Sequence, residues 1–477
     1  MKHTRIPLYD ALLNHSEQNP ISFHVPGHKN GTVLDKNIGV HFAHIMKLDA
    51  TELSGLDDLH APEGPIAEAE ELLADLYKTK QSFFLVNGST VGNLAMILAA
   101  GWQGGRFLVQ RNCHKSIVNA MRLAKAEPVF IEPEYNGEWK VAGGLAPAAV
   151  KEAISAYPDA RGLILTYPNY YGMADSIEEI IQIAQSKGIP VLVDEAHGAH
   201  FIAGQPFPSS AAVLGADIVV QSAHKTLPAM TMGSFLHFNS KLIDLDRLKD
   251  FLQILQSSSP SYPIMASLDT ARSYMGTFCK KDLDFLIQQI SCFRSALAKI
   301  PQIRVLKYKG FGDPLKVTIQ SATSLNGYEL QQLMEREGIY TELADPNNVL
   351  FVLPLLKEGM PYQFSETVER MAAVLNHYPV VEPSVSISSS GGRCTKLSVS
   401  YLEMERLHLE WIRVEKAEGF IAAETIIPYP PGIPLVLKGE LITAELAESL
   451  ERLISSGARF QGGERLKYGE VLIFKKA

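Results

Sequence analysis

The stretch Gln221-Ser222-Ala223-His224-Lys225-Thr226 follows an apolar run, Asp217-Ile218-Val219-Val220, that is typical of a buried strand. A second apolar run, Pro190-Val191-Leu192-Val193, ends in Asp194-Glu195-Ala196-His197-Gly198. An acid and a lysine therefore follow the ends of two buried strands. In an open parallel sheet, this edge is where ligands bind.

Short apolar runs recur through the region around these two strands. They lie at residues 83–86, 107–109, 129–131, 163–165, 191–193, 218–220 and 235–238. Helical patterns separate most of them, and strands that alternate with helices indicate right-handed βαβ units. The sequence therefore predicts an α/β fold whose large domain, residues 61–280, holds a mostly parallel seven-stranded sheet.

The rest of the chain predicts three further segments. Residues 1–60 form an N-terminal arm, and residues 281–383 alternate helical and strand patterns as a small α+β domain. Residues 384–477 hold a Gly/Ser-rich linker and a C-terminal domain. Within that domain we predict a helix at 403–415, an extended proline segment at 426–434, a helix at 443–455 and a terminal strand at 470–474.

Composition excludes several classes of function. The chain has 477 residues and a net charge of −8, so it lacks the basic excess of a nucleic-acid-binding protein. Neither an apolar signal core at the N-terminus nor an apolar run of about 18 residues for a membrane span is present. We therefore predict a cytoplasmic protein with no nucleic-acid or membrane partner.

Cysteine and histidine spacing gives no indication of a metal site. Four scattered cysteines, without a CxxC pair, argue against a disulfide framework or a zinc site. His24 and His28 have the spacing of metal ligands on a helix, but Pro26 and Gly27 between them break any helix. We predict no bound metal.

The strand ends carry residue types that suit a carbonyl cofactor. A lysine at the position of Lys225 can form a Schiff base with such a cofactor, and an acid at Asp194 can hold a protonated pyridine nitrogen. This pattern predicts a pyridoxal-phosphate enzyme. The alternative is that Lys225 is a solvated loop lysine that follows a strand.

A phosphate site is indicated after the first strand of the large domain. Asn87-Gly88-Ser89-Thr90 opens a helical pattern, and hydroxyl groups beside free N–H groups at a helix start bind anions. Ser222 and His224 can complete the phosphate site. The alternative for Ser89 and Thr90 is helix N-capping. His114, after the second strand, can stack on a planar ring or belong to a capping loop.

Together these residues resemble the ornithine/lysine/arginine decarboxylase family, in the shorter form found in Gram-positive bacteria. The resemblance covers nearly the whole chain and is carried by FHVPGH at 23–28, VDEAHG at 193–198, SAHK at 222–225 and PYPPGIP at 428–434. It implies pyridoxal-phosphate-dependent fold type I, which is aspartate-aminotransferase-like. It also implies a large, a small and a C-terminal domain in a homodimer or higher homo-oligomer with active sites at the subunit interface.

The resemblance also implies a role for each candidate residue. Lys225 matches the Schiff-base lysine, Asp194 the acid on the pyridine nitrogen, and His197 the group near the 3-hydroxyl of the ring. His114 matches the ring-stacking histidine, and the matches to phosphate ligands are Ser89, Thr90, Ser222 and His224. Residues 257–263 resemble a loop that reaches the active site of the neighbouring subunit.

The implied activity is pyridoxal-phosphate-dependent decarboxylation of a basic amino acid to CO₂ and an amine of polyamine biosynthesis. Arginine or lysine is favoured over ornithine, and Asp57, Asp58 and Glu424 are candidates for binding the cationic side chain. An aminotransferase or a lyase on the same fold is the alternative. A binding or regulatory protein without catalysis is a third reading, which the combined presence of lysine, aspartate, histidine and the hydroxyl groups disfavours.

Overall fold

The computed structural model describes residues 2–381, 394–429 and 432–475. Its helices are α1 (Pro7–Glu17), α2 (Lys36–Met46), α3 (Pro65–Tyr77), α4 (Gly88–Gly101), α5 (Lys115–Ala124), α6 (Pro147–Ala156), α7 (Glu178–Gln185), α8 (Ala223–Thr226), α9 (Leu245–Leu255), α10 (Tyr262–Gly276), α11 (Lys280–Leu297), α12 (Gly327–Arg336), α13 (Phe364–Leu375), α14 (Tyr401–Met404) and α15 (Ala444–Ser455). Its strands are β1 (Gln81–Leu85), β2 (Arg106–Gln110), β3 (Glu127–Ile131), β4 (Tyr135–Asn136), β5 (Val141–Ala142), β6 (Gly162–Thr166), β7 (Val191–Asp194), β8 (Ile218–Gln221), β9 (Ser234–Phe238), β10 (Ile303–Val305), β11 (Lys316–Ser321), β12 (Leu343–Ala344), β13 (Asn348–Val352), β14 (Cys394–Lys396), β15 (Leu409–Arg413), β16 (Ile421–Ala422), β17 (Ile427–Pro428), β18 (Phe460–Gln461) and β19 (Glu470–Phe474).

One compact unit comprises Met1–Ala100 and Pro190–Lys280. Its strands lie in the order β1-β9-β8-β7, with β7 and β8 parallel and β9 antiparallel to both β8 and β1. Three of the four strands therefore run in one direction. The strands are largely buried and apolar because helices cover parallel sheets.

The N-terminal helix of this unit is fixed by a buried ion pair. Arg272 and Asp269 of α10 are both fully buried, with Nη2 2.7 Å from Oδ1. Asp269 Oδ2 also accepts the backbone N–H of Leu8 in α1 at 3.0 Å. Leu8 and Leu12 are buried, so α1 contributes to the core of the unit.

The other compact unit comprises Gly101–Ile189 and Lys281–Ala477. Strands β6, β2 and β3 are parallel in that order, and β14 pairs antiparallel with β3. A separate antiparallel sheet has the order β10-β11-β13-β12, and it lies in the same part of the sequence as α11, α12 and α13. Near the end of the chain, β19 pairs with both β15 and β16.

The α/β fold class and all seven predicted strands of the large domain are confirmed, as β1, β2, β3, β6, β7, β8 and β9. Strand β14 adds to these seven. Strand β14 is short, polar and exposed, and it pairs with a strand more than 250 residues earlier. Its sequence therefore lacks the alternation of apolar and polar residues that predicts a strand. The predicted domain boundaries stay predictions, and the predicted linker at 384–393 lies outside the described residues.

The predicted helix at 403–415 is wrong. A single helical turn, α14, ends at Met404, and residues 409–413 form strand β15. Every residue of β15 pairs antiparallel with a residue of β19, from Leu409 with Phe474 to Arg413 with Glu470. Helix α2 has no counterpart in the sequence prediction. In the described part of the chain, no helix is both long enough and apolar enough to cross a membrane.

Candidate active site

The candidate active site lies where β7 and β8 end, in the first compact unit. The two strands are parallel, and Asp194, the last residue of β7, is in register with Val220 of β8. Gln221 ends β8, and the single-turn helix α8 that follows carries Lys225. The acid and the lysine therefore stand at neighbouring carboxyl ends, as the sequence predicted.

Asp194 is buried and held by two donors. Its Oδ2 accepts the Asn93 side-chain amide at 2.9 Å, and its Oδ1 accepts the backbone N–H of Ala196 at 3.2 Å. Asn93 lies on α4, four residues after Ser89, so that both residues are on one face of that helix. The carboxylate orientation is thus fixed from two elements.

Lys225 is paired with His197, which follows β7. The Nζ of Lys225 lies 3.1 Å from Nε2 of His197. His197 is buried, whereas Lys225 is only partly buried and can be reached by a small molecule. A proton can pass between these two nitrogen atoms because they are within hydrogen-bond distance.

Hydroxyl groups gather at the start of α4. Ser222 donates to Ser89 at 2.8 Å between the two Oγ atoms, and Thr90 is exposed in the same turn. Gly88 begins this helix with φ of 77°, a conformation that glycine adopts without steric cost. Hydroxyl groups beside a helix N-terminus can bind a phosphate.

His224 lies next to this group. Its backbone N–H and its Nδ1 contact the carbonyl oxygen of Gly233, at 3.2 and 3.0 Å. The ring orientation is therefore fixed through Nδ1, and its predicted role as a phosphate ligand through the other nitrogen stays a prediction.

Helix α4 packs closely on the strands because of Gly92. A Cβ atom at this position would lie 2.7 Å from Leu85 Cδ1 and 2.8 Å from Val220 Cγ1. Any larger residue would therefore displace the helix from β1 and β8. Gly92 thus keeps Ser89 and Asn93 at the strand ends.

His114 lies in the second compact unit, as the N-cap of α5. Its Nδ1 accepts the Ser116 backbone N–H at 3.2 Å and is 2.8 Å from Ser116 Oγ. A Cβ atom on Gly432 would lie 3.5 Å from Cδ2 of the ring, so the C-terminal segment passes beside it. The alternative of a capping loop is therefore confirmed for the Nδ1 side, and the stacking role of the ring stays a prediction.

Residues on either side of His114 also bind the C-terminal region. Arg111 donates to the Pro434 carbonyl at 2.8 Å and pairs with Glu440 at 3.0 Å. Lys115 donates to the Gln461 side chain at 2.5 Å. The loop after β2 is thereby fixed by the part of the chain that carries the proline motif.

Sequence reasoning missed a second polar cluster at the same strand ends. This buried network consists of Ser82, Glu195, Ser210, Gln221 and His237, all at most 1% exposed. Glu195 accepts hydrogen bonds from Ser210 Oγ at 2.7 Å and from Gln221 Nε2 at 2.5 Å. Its other oxygen accepts a backbone N–H, that of Ala211, at 2.6 Å.

The network continues from Gln221 to β9. The Oε1 of Gln221 lies 3.0 Å from His237 Nε2, and His237 Nδ1 lies 2.8 Å from Ser82 Oγ. Burial raises the pKa of Glu195 to about 8, against the effect of its donors, and lowers the pKa of His237 to about 3. At neutral pH the network is therefore uncharged. In the sequence, the only indication of this network was Glu195, the acid that follows Asp194.

The three candidate acids for the substrate side chain have structural roles. Asp57 precedes α3 and accepts backbone N–H groups at the start of that helix; burial alone would raise its pKa, but these N–H groups outweigh burial and lower it. Those donors are Asp58, Glu63, Gly64, Ile66 and Ala67. Asp58 accepts the His60 N–H, and Glu424 accepts those of Gly463 and Leu472. These contacts explain all three carboxylates without a substrate.

The loop at 257–263 lies beside the start of α4. The backbone N–H of Ser257 donates to Asn87 Oδ1 at 3.2 Å, and His60 Nε2 lies 2.9 Å from the Ser257 carbonyl oxygen. Tyr262 donates its hydroxyl to the Asp57 carbonyl at 2.6 Å. Two loops are therefore joined directly in front of Gly88.

The residues at the strand ends fit pyridoxal phosphate. The cofactor needs an amine for its carbonyl group, an acid for its ring nitrogen and donors for its phosphate. Lys225, Asp194 and the hydroxyl groups of Ser89 and Ser222 are groups of these three kinds, and all of them lie in one compact unit. A Cβ atom added at Gly88 would meet no heavy atom within 4 Å, so there is room for a phosphate to approach the backbone at this turn.

The chain is similar to known proteins of one family. The family model "Orn/Lys/Arg decarboxylase, major domain" matches residues 6–310, and "Orn/Lys/Arg decarboxylase, C-terminal domain" matches residues 393–465. The chain is 47% identical over 473 residues to "Uncharacterized protein YaaO" of Bacillus subtilis, covering 98% of each chain. It is 31% identical over 487 residues to "Arginine decarboxylase" of Bacillus subtilis, covering 100% of this chain and 99% of that protein.

The fold is similar to that of a solved lysine decarboxylase, LdcF of Francisella novicida. The TM-score is 0.80 at 20% identity, and the match covers 98% of this chain and 80% of the other. At this identity the likeness establishes the fold alone. The family models and the relatives that match over nearly their whole length carry the assignment further: the chain belongs to the Orn/Lys/Arg decarboxylase family of pyridoxal-phosphate-dependent decarboxylases.

Proposed function

We propose that the chain decarboxylates arginine or lysine, with ornithine less favoured, to CO₂ and the corresponding amine, a polyamine precursor. The observation that carries the proposal is the pair Asp194 and Lys225 at adjacent strand ends. Arginine is placed first because the relative named arginine decarboxylase matches this chain over nearly the full length of both proteins.

The cofactor, when bound, supplies an electron sink that accepts the electron pair left at Cα as CO₂ departs. Asp194 holds a proton on the ring nitrogen because its negative charge stabilises the protonated form at short range. Asn93 and the Ala196 N–H keep the carboxylate directed at that nitrogen. Without them the carboxylate would turn away and the proton would be held less firmly.

Lys225 is the amine that would hold the cofactor through its carbonyl group. Its Nζ lies 3.1 Å from His197 Nε2, so His197 can take up or return a proton at that atom. Ser89, Thr90, Ser222 and His224 are proposed to be the residues that would hold the phosphate group.

We also propose a cytoplasmic homodimer. Large apolar side chains of residues 21–42 are exposed, among them Phe23 at 93% and Ile21 at 86%. Several strongly exposed apolar side chains within one segment support burial of that segment against a second copy of the chain. The four free cysteines, three of them exposed, support a reducing compartment.

Substrate assays with the purified chain and added pyridoxal phosphate test the proposal. Arginine, lysine and ornithine are supplied in turn, and CO₂, amine and oxo acid are each measured. CO₂ and agmatine from arginine, at a higher kcat/KM than from lysine or ornithine, is the expected result. An oxo acid in place of CO₂ would assign the chain to the aminotransferases. A cofactor absorbance band without turnover of any of the three would contradict the proposed substrates.

Sedimentation of the chain tests the homodimer. A chain that lacks residues 20–47 should sediment as a monomer, whereas the full chain should sediment as a dimer. A full chain that is monomeric at micromolar concentration would contradict the proposal.

A further inference from the structure

A cavity of about 330 Å³ lies in the first compact unit and includes no residue of the candidate active site. It is bounded by the loop at 59–63, by β1 and by α9. Its volume is at the small end of the range for ligand sites in proteins. Apolar walls are provided by Leu59, Pro62, Phe83 and Leu252.

A buried carboxyl group lines this cavity. Glu70 of α3 is 6% exposed, and its Oε1 accepts the backbone N–H of Phe84 at 2.8 Å. Glu70 therefore binds the edge strand through Oε1 and also lines the cavity. The Gln256 side chain, which also lines the cavity, accepts the Val86 N–H at 2.9 Å.

Burial raises the pKa of Glu70 to about 8, against the effect of the Phe84 N–H. The charged groups around it are Asp57, which raises this pKa further, and Lys249, whose ammonium group lowers it slightly. His60 and Glu63 on the loop also line the cavity. Glu70 is therefore mostly protonated at neutral pH, and a cation that entered the cavity would release its proton.

These features select one class of ligand. A carboxyl group inside a cavity with aliphatic walls suits a positive charge on a short alkyl chain. A metal ion is disfavoured because the described residues contain no group of three or more His, Cys, Asp or Glu side chains that could hold one. A carboxylate ligand would gain no charge pairing from the acids Glu63 and Glu70 that line the cavity.

We infer that this cavity binds a small aliphatic ammonium ion, with the charged nitrogen on Glu70 and the alkyl chain against Leu59, Pro62 and Leu252. The inference does not depend on the proposed function. The alternative is that Glu70 serves only to bind the N–H of the edge strand β1.

Titration calorimetry of the full chain with N,N-dimethylbutylamine tests the inference. A tertiary amine cannot form a Schiff base, so it does not react with a cofactor at Lys225. At pH 7 the wild-type chain should bind it and release close to one proton, measured by comparing cacodylate and Mops buffers. Butyrate should bind at least about tenfold more weakly, on the scale of one charge-assisted hydrogen bond.

Three variants separate the site from its surroundings. Glu70→Gln should abolish proton release and weaken binding by about tenfold or more. Glu71→Gln, the same change at the next, exposed residue of α3, should leave both unchanged. Gln253→Trp, at an exposed lining position, should block the cavity while Glu70 stays in place, and so tests the inference even if Glu70→Gln does not fold.

The inference is overturned if the wild-type chain does not bind the amine, or binds it without proton release. It is equally overturned if Glu70→Gln or Gln253→Trp binds the amine as the wild type does, or if butyrate binds more tightly than the amine.

Discussion

Two polar clusters occupy the same strand ends and differ in access. The site cluster around Asp194 and Lys225 includes groups that a small molecule can reach, such as Ser89 and Thr90. The buried network around Glu195 and Gln221 is closed to solvent. Adjacent residues belong to different clusters, since Asp194 is followed by Glu195 and Gln221 by Ser222.

The alternation follows from strand geometry, because consecutive side chains point to opposite faces. On one face the acid, Asp194, lies beside groups that a ligand can reach. On the other face the acid is enclosed by Ser210, Gln221 and the Ala211 N–H, and burial raises its pKa. On one face of the strand ends, the polar side chains are placed to bind a ligand. On the other face, they bind one another and stabilise the fold. Variants on the first face should therefore change turnover and cofactor binding, and variants on the second face should change the free energy of unfolding.

Lys225→Ala should have the largest effect. Without an amine at this position the cofactor carbonyl has no group to bind, and turnover should fall by on the order of 10⁴-fold or more, as when a covalent catalytic group is lost. Turnover and the absorbance band of the bound cofactor measure this. Lys241→Ala, an exposed lysine in the same compact unit, is the control and should behave as wild type. Near-normal turnover in Lys225→Ala would remove it from the mechanism.

Asp194→Ala should have the next largest effect. The ring nitrogen would lose the charge that keeps it protonated, so turnover should fall on the order of 10²–10⁴-fold, and the cofactor should bind more weakly. Titration of the apo-protein with pyridoxal phosphate gives the affinity, and steady-state rates give turnover. A variant that keeps both would mean that Asp194 does not contact the ring.

Glu195→Ala, on the buried face, should act on stability. Three donors would lose their acceptor, which should cost roughly 2–3 kcal/mol. Glu195→Gln should cost less than Glu195→Ala, because an amide can still accept from the Ala211 N–H and donate to Ser210, but its NH₂ group would then face the NH₂ group of Gln221. Urea unfolding measures both, and Glu179→Gln, an exposed acid, is the control. A stable Glu195→Ala would mean that the network adds little rigidity.

The pH dependence of stability should follow the two shifted groups of the network. The pKa of Glu195 is raised to about 8, so its contribution is complete below the unfolded value of 4.5 and is lost as pH rises through about 8. The pKa of His237 is lowered to about 3, so its contribution is complete above 6.5 and is lost as pH falls through about 3. Melting temperatures from pH 4 to 9 should therefore decline at both ends.

Glu195→Gln should remove only part of the fall in melting temperature at high pH. Glu70 also has a pKa raised to about 8 and contributes a decline of the same sign. The double variant Glu70→Gln/Glu195→Gln should remove most of it. An alkaline decline that is unchanged in the double variant would show that other groups cause it.

The pattern of apolar residues along the chain was enough to predict the seven strands and the positions of Asp194 and Lys225, because buried parallel strands are continuous apolar runs. The same pattern was not enough for β15, because residues 403–415 look like a helix in the sequence. Nothing in that pattern shows that β15 pairs with β19 about 60 residues later. The buried network was missed for the same reason, because Ser82, Glu195 and His237 meet only in the folded sheet. Asn93 could have been found, because it lies four residues after Ser89 on one helix.

A matched pair of serines should give the smallest effect and the clearest separation of the two faces. Ser222 and Ser82 are both fully buried, and each has its Oγ 2.8 Å from a side-chain partner, Ser89 Oγ and His237 Nδ1 respectively. Ser222→Ala should raise the Kd for pyridoxal phosphate by roughly tenfold, the value of a hydrogen bond in a site for a charged group. Ser82→Ala should lower the free energy of unfolding by about 1–2 kcal/mol.

Each serine variant is the control for the other, because both remove one hydroxyl of the same volume. Cofactor titration and urea unfolding are measured on both proteins. Ser222→Ala should lower stability less than Ser82→Ala does, because water can reach the partly exposed Ser89 but not the buried His237, and Ser82→Ala should keep the wild-type Kd. If Ser82→Ala weakened cofactor binding as much as Ser222→Ala, the two clusters would act as one site, and the closed face would have to be counted as part of the cofactor-binding machinery.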